Sequence, residues 1–378
     1  MDSDSSMTYE PNEVGHPGDT VVDYLELNGW TQRDLARRTD LTPKTISEIC
    51  NGKAPITPPT ALAFEKVFRR PAHFWLNLQR QFDEALARRQ ALARSVEWKS
   101  WAAKFPVAHM RRLRWLKADS TKESPVESLL EFLGVSSPKS WNSVWQAARI
   151  AYRQTRKWET SPEAISAWVR ATELVAEQVA ARLTVADFDE QILRTCLNPL
   201  RQQSRRRASE IKDPIQEICA KAGVIVVWVP EVPGTGISGC ARWVGERKAL
   251  IALTLRYKTD DQMWFTFFHE IAHILLHRKR RDFILDNAAE DLADRIVDPQ
   301  MQKDEDEANR FAADTLIPPD ALAAFIKKAD FGNEAIHTFS EKLGIGPGLV
   351  VGRLQFEEVL ARHQGNKLKQ QLDYKVPE

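Results

Sequence analysis

Residues 268–277 read FHEIAHILLH. His269 and His273 stand four apart, with Glu270 beside the first. On an α-helix, residues four apart share a face one turn apart, so both imidazoles can reach one point in space. A Zn2+ ion takes imidazole nitrogen at about 2.0–2.1 Å. Glu270 then lies beside the open position, where a carboxylate takes a proton from the attacking water and passes it to a leaving amine. The rival reading is a buried core helix that happens to carry histidines. The pattern predicts a helix with Asp260 or Asp261 as its N-cap, running through His277. His277 continues the same face but lies about 12 Å along the axis from His269, too far for one ion to hold all three histidines. It reads as a helix-end residue or a support for a ligand. The glycine turn and further histidine of a metzincin are missing from HEIAHILLHRKR.

A catalytic zinc needs a third protein ligand. The candidate segment is DEDEANRFAADTLIP, 304–318, read as a helix from about Asp304 to Leu316 and stopped by Pro318-Pro319. Ala308, Phe311, Ala312 and Leu316 mark an apolar stripe. Glu305 and Asn309 lie one turn apart at its border. Glu305 can bind the metal there while the Asn309 side-chain oxygen accepts the ring N–H of a ligand histidine. Glu307 points about 200° away, toward solvent, so helix geometry favours Glu305. The bland alternative is a solvated helix start, where carboxylates are favoured in any case.

Upstream, the texture is β. GVIVVWVPEV, from Gly223, is a β-branched run; after a Pro/Gly loop, SGCARWVGERKALIALTL reads as two strands joined around Gly245-Glu246. Downstream, AIHTFSEKLGIGPGLVVGRLQ (335–355) has helix-turn-helix grammar with few basic residues facing out, and reads as a packing element. His337, near its start, reads as structural.

The front of the chain carries a second motif, TQRDLARRTDLTPKTISEICNGK, 31–53. Its first helix is Gln32–Thr39, with Leu35 and Ala36 facing inward. Leu41 sits in the turn, Thr42 is the N-cap, and Pro43 takes the first helical position, where a missing N–H costs little. Ile46 and Ile49 form the buried face of the second helix. Lys44, Thr45, Ser47 and Glu48 point outward, where such a helix meets base edges in a major groove. Gln32 and the basic residues around it, Arg33 among them, are placed to hold phosphates, which position without specifying, and Thr42 and Lys53 complete the DNA-binding set. The bland alternative is a helix pair that only packs.

The flanks of this motif carry a resemblance. His16-Pro17-Gly18, Asn51-Gly52-Lys53, Ile56-Thr57-Pro58 and Phe74-Trp75-Leu76-Asn77-Leu78-Gln79 resemble the HigA-type antitoxins of the Xre/Cro helix-turn-helix family over about seventy residues. The resemblance implies a five-helix module that binds double-stranded operator DNA as a homodimer, often represses its own promoter, and has a toxin as partner. WFTFFHEIAHILLH, EDEANRFAADTLIP, GVIVVWVPEVPG, GISGCARW and LGIGPGLVVGRLQ together resemble the ImmA/IrrE metallopeptidases. That resemblance implies His269, His273 and Glu305 as metal ligands and Glu270 as catalytic acid/base. It also implies Zn2+, with Mn2+ as an alternative, and a protein substrate that is often itself a helix-turn-helix repressor. By analogy with other zincins, KALIALTL would be the sheet edge along which substrate lies.

The bulk composition agrees with these readings. The chain has 378 residues, 28% charged, with twelve tryptophans, as expected of well-packed helical layers. The formal charge of +1 hides a polarity: Arg69–Lys117 holds twelve Lys/Arg against three Asp/Glu, and Glu290–Glu307 eight Asp/Glu against two Lys/Arg. A basic front half suggests a polyanionic partner. Four scattered cysteines, with no CxxC, fit a reducing cytoplasm and neither a disulfide framework nor a cysteine zinc site. No signal peptide and no run of eighteen apolar residues is present, so a membrane role is not expected.

The expected architecture is mainly α with a small β-sheet. Residues 1–15 form a polar tail and 16–90 the five-helix helix-turn-helix domain. Residues 91–212 form a helical middle, including a helix over SPEAISAWVRATELVAEQVAARL and an exposed basic connector QQSRRR at 202–207. Residues 213–360 form an α+β zincin-like peptidase domain, and 361–378 a polar tail. The expected function is a DNA-binding regulator whose zinc endopeptidase relieves repression by cleaving a repressor or the chain itself, with Gln202–Lys212 as a cut site. The alternative is an antitoxin or repressor whose back domain is a non-catalytic sensor. A hydrolase of non-peptide substrates ranks last, since no small-molecule pocket signature is present.

Overall fold

The computed structural model describes residues 14–116, 125–145, 161–254, 259–277, 284–286 and 299–372. It divides into two units, Met1–Trp98 and Lys99–Glu378.

The first unit is five helices: α1 Pro17–Asn28, α2 Gln32–Thr39, α3 Pro43–Cys50, α4 Pro58–Phe68 and α5 Ala72–Glu97. Four of them start on a side-chain cap. His16, Thr31, Thr42 and Thr57 each accept a backbone N–H from the first turn, a contribution of about 1 kcal/mol each. Val21, Leu35, Ile46, Ile49, Phe64 and Trp75 close one core. Gly18 explains the His-Pro-Gly opening. A Cβ there would lie 2.1 Å from the Ile49 carbonyl oxygen, so only glycine lets α1 rest against the end of α3. Buried Gln79 accepts the Ile56 N–H at 2.9 Å and donates to Asp83 at 2.9 Å. That bond anchors the loop before α4 to α5. The helix α5 runs unbroken through residue 90, and the basic run Arg69–Lys117 spans the division at Trp98.

The second unit opens with α6 Lys99–Ala102, α7 Val107–Arg112, α8 Pro125–Leu133, α9 Pro138–Val144, α10 Pro162–Arg182, α11 Glu190–Gln202 and α12 Lys212–Lys221. Then come β1 Val224–Trp228, β2 Gly239–Val244, β3 Lys248–Leu253, α13 Asp260–Leu276, β4 Ile284–Asp286, α14 Pro299–Leu316, α15 Pro319–Lys327, α16 Asn333–Leu343 and α17 Pro347–Phe356. From Lys99 onward the helical middle belongs to the same unit as the sheet. The helix α10 packs on β1, and its Glu173 pairs with Arg242 of β2 at 3.1 Å. The QQSRRR stretch is exposed at Gln202, Arg205, Arg206 and Arg207, as expected of a basic connector, but it is tied to the rest of the unit at Ser204. Ser204 is buried and accepts the Gly346 N–H at 3.0 Å, and the Ala208 N–H donates to the Gln370 side chain at 3.0 Å. Peptidases take extended chain, and these ties hold 203–210 in two short 3-10 turns.

The sheet order is β1-β3-β2-β4. The strand β3 runs parallel to β1 (Val226↔Ile251) and antiparallel to β2 (Ala241↔Ile251). KALIALTL is therefore a central strand, not the sheet edge expected from sequence. Its near-continuous burial, Ala249 to Leu253, follows from having neighbours on both sides. The outer side of β2 pairs with β4 along Gly239–Ala241. The helices α16 and α17 pack their apolar faces inward through Ile336, Phe339, Leu349, Val350 and Leu354, as a packing element would; His337 is exposed.

Candidate metal centre and nucleic-acid face

The helix α13 is buried almost all round, as expected of a helix apolar on every side. Trp264, Phe267, Phe268, Ile271, Ile274 and Leu275 hold it in the core. His269 and His273 face α14, where Ala308 and Ala312 are fully buried and small enough for close approach. This helix starts at Pro299, five residues before the expected Asp304. Glu305 and Asn309 therefore lie in the body of the helix, and the acidic run is not a solvated helix start.

The two histidine Nε2 atoms are 2.8 Å apart. Glu305 Oε2 lies 3.3 Å from His269 Nε2, and Oε1 lies 3.6 Å from His273 Nε2. His269 Nδ1 is 3.0 Å from Asn309 Oδ1. His273 Nδ1 is 3.1 Å from His277 Nδ1, and His277 Nε2 is 3.3 Å from Glu307 Oε2. His277 ends the helix as its C-cap. Glu307 does not simply face solvent as expected: it is 43% exposed and touches that ring. Neither Asp260 nor Asp261 is an N-cap. Thr259 holds that position, and both aspartates are buried in the first turn.

The donor set matches a four-coordinate zinc. Donors at about 2.0–2.1 Å in tetrahedral geometry stand about 3.3 Å from one another. The three separations here bracket that value, and two imidazoles with one carboxylate are a catalytic-type set that keeps a position open. The residues fit.

Glu270 is fully buried beside them. Its carboxylate lies against Gly239 at the start of β2, where a Cβ would fall 2.5 Å from Oε1. Gly239 is thus part of the site. Its only signal in the sequence was a glycine opening a strand, which usually marks a close backbone approach. Burial pushes the Cys240 thiol up, with the nearby Glu270 charge adding to it, so this cysteine is a poor nucleophile.

In the first unit, Lys44, Arg33 and Lys53 are exposed, while Gln32, Thr45, Ser47 and Glu48 are half-buried. The Thr42 hydroxyl caps α3 and lies 2.8 Å from the Thr45 hydroxyl. Ser47 accepts from the Asn51 amide at 3.2 Å. Glu48 stands 3.8 Å from Lys44, an exposed i,i+4 pair that contributes little to stability. The Arg38 guanidinium sits 4.0 Å over the Trp30 ring, a contact not read from the sequence.

Fold and site together define a chain of two parts, a helix-turn-helix module followed by an HExxH domain on a small mixed sheet. A helix-turn-helix family model matches residues 23–75, and one described as the IrrE N-terminal-like domain matches 244–355. The chain belongs to the Xre-type helix-turn-helix family through its front unit and carries an IrrE/ImmA-like domain in its back unit. Among known proteins, an uncharacterized HTH-type transcriptional regulator YddM of Escherichia coli is 34% identical over 71 residues, 19% of this chain and 76% of its own length. Virulence-associated protein I of Dichelobacter nodosus is 34% identical over 73 residues, 19% of this chain and 68% of its own. A solved addiction module antidote protein of the HigA family from Coxiella burnetii is 30% identical, covers 23% of this chain and 95% of its own, and has a TM-score of 0.21. No described helix is long and apolar enough to cross a membrane.

Proposed function

We propose that this chain is a cytoplasmic DNA-binding regulator whose back unit is a zinc-dependent endopeptidase acting on a protein. One observation carries the reading: His269, His273 and Glu305 bring three donors within 4.8 Å of one another beside buried Glu270. When bound, Zn2+ supplies Lewis acidity that lowers the pKa of a water toward about 7 and polarises a carbonyl. The chain's own residues do the rest. Asn309 fixes the His269 ring by accepting its Nδ1–H, which leaves Nε2 to donate its lone pair. Gly239, having no side chain, leaves room for the Glu270 carboxylate against the sheet, and Glu270 moves the proton between water and leaving amine. Mn2+ is the alternative metal for the same donors.

The front unit binds double-stranded operator DNA as a homodimer, with the start of α3 in the major groove. Lys44, Thr45, Ser47 and Glu48 face bases, Gln32 and Arg33 face phosphates, and Thr42 and Lys53 lie on the same DNA-binding side. The substrate class is a protein, with a helix-turn-helix repressor as the first candidate. A toxin partner is the second protein ligand to seek, as the sequence resemblance of the front unit to HigA-type antitoxins implies. The two 3-10 turns and the ties of Ser204 and Ala208 hold 203–210 out of the extended form a peptidase takes, which argues against a cut there.

Mass spectrometry of new termini tests the enzyme directly. Full-length protein with zinc is incubated with a library of proteome-derived peptides. New termini are expected with the wild type and absent with Glu270→Gln. Identical patterns for the two would leave the back unit as a non-catalytic sensor.

A further inference from the structure

His277, Asp304 and Glu307 form a second cluster of metal-type donors, also within 4.8 Å of one another. Its first reading is a second cation site next to the first. Proton counting decides against that, on the assumption, taken from the proposed function, that His269 and His273 hold a metal through Nε2.

A neutral imidazole that donates its Nε2 lone pair carries its proton on Nδ1. For His269 that proton points at Asn309 Oδ1, 3.0 Å away. For His273 it points at His277 Nδ1, 3.1 Å away, so His277 must present a lone pair there. The His277 proton then sits on Nε2, facing Glu307 Oε2 at 3.3 Å, with Asp304 Oδ1 at 3.8 Å. Every ring N–H of this three-histidine relay then meets an acceptor. A cation bound at His277 Nε2 would need the opposite tautomer. Its Nδ1–H would face the His273 Nδ1–H head-on across 3.1 Å. Loading the first site therefore closes the second.

We propose that His277, itself oriented by Glu307, is the positioning residue that locks His273 into its Nε2-donor tautomer, and that the chain holds one metal ion and not two. The two ligand histidines are then fixed by different devices, an amide for His269 and a carboxylate–imidazole pair for His273. The ring of His277 is nearly buried, with its side chain 7% exposed, while Glu307 is 43% exposed. The pair thus runs from the ligand out toward solvent.

The test is zinc titration against a chelator, using full-length wild type, His277→Leu, His277→Gln, Glu307→Ala and Glu305→Ala. Leucine removes the acceptor. Zinc affinity is expected to fall about 10–100-fold, the usual effect of losing such a partner, with stoichiometry still one. Glutamine restores an acceptor oxygen and a donor amide in nearly the same places, and is expected to recover most of the affinity. Glu307→Ala is expected to show a smaller loss than His277→Leu. Histidine 15N spectra add a readout that packing alone would not move. The zinc-loaded wild type should show a hydrogen-bonded His273 Nδ1–H whose signal shifts in His277→Leu and returns in His277→Gln. Unchanged affinity in His277→Leu, or two zinc ions in the wild type with one lost in His277→Leu, would overturn the inference. A wild type that binds no zinc overturns the metal-centre reading and this inference with it. A wild type that binds zinc, loses it in Glu305→Ala and ignores His277→Leu overturns this inference alone.

Discussion

Asp260 opens the helix that carries both histidines, and its environment makes a prediction that needs no substrate. The side chain is 3% exposed. Oδ1 accepts the Gln370 and Asp261 N–H groups at 3.0 Å each, while Oδ2 has no hydrogen-bond partner. Asp261 stands next to it and pairs with Lys369 at 2.7 Å. Burial, with the Asp261 charge adding to it against the two backbone N–H groups, pushes the Asp260 carboxyl up from 3.8 to about 6. That displacement corresponds to about 3 kcal/mol against the ionised carboxylate. The sign follows from proton counts. Between 3.8 and about 6 the unfolded chain has released this proton and the folded chain retains it. Native protein binds more protons there, so this group's contribution to stability falls as pH rises through the window and is flat above it. Asp260→Asn lacks the effect. Its amide keeps an acceptor for the two N–H groups but leaves a buried donor at the Oδ2 position, a constant cost of about 1–3 kcal/mol. Urea unfolding of wild type and variant at steps from pH 4 to pH 8 measures the difference. The stability of the variant relative to wild type should rise by up to about 3 kcal/mol across the lower half of that range, then level off. A difference independent of pH would refute the reasoning.

Three further outcomes are expected. Gly239→Ala puts a Cβ 2.5 Å from Glu270 Oε1; a displacement of about 1 Å should cut cleavage roughly 100-fold, and zinc content should stay unchanged, as metal analysis beside the cleavage assay would show. Ile46→Ala empties a fully buried position of the first unit and should cost about 2–5 kcal/mol in that unit, read as an earlier loss of helical circular dichroism in urea and of DNA binding. Arg33→Ala should lower the salt slope of duplex binding by about 1, as the loss of one phosphate contact does, while Lys44→Ala should alter base preference, both measured by anisotropy across a salt series.

What was legible in the sequence was whatever a local period decides. Inward Leu35, Ala36, Ile46 and Ile49, the Thr42 cap and the Pro43 start all follow from spacing and capping chemistry, and the structure has them so. The same arithmetic placed Glu305 and Asn309 on one face, and in space that face meets the histidines. Long-range features left little local trace. The central place of β3 depends on a parallel partner that lies before β2 in the chain. Asp260 looked like an N-cap, yet it is held by the Gln370 N–H, 110 residues on. Gly239 faces Glu270 across 31 positions, and Ser204 meets Gly346 across 142. The early start of α14 leaves little local signal, because 299–303 carry no apolar period of their own; Pro299 at its first position is the one cue.

The most direct test of the central claim is the zinc content and zinc-dependent stability of the wild type beside Glu305→Ala and Glu307→Ala. The wild type should carry about one zinc per chain and gain about 2.7 kcal/mol at a hundredfold excess over Kd. Glu305→Ala should lose both, while Glu307→Ala should keep its zinc at reduced affinity. A wild type that holds no metal and gains no stability from added zinc would contradict the account, and FHEIAHILLH would be a core helix with histidines on it.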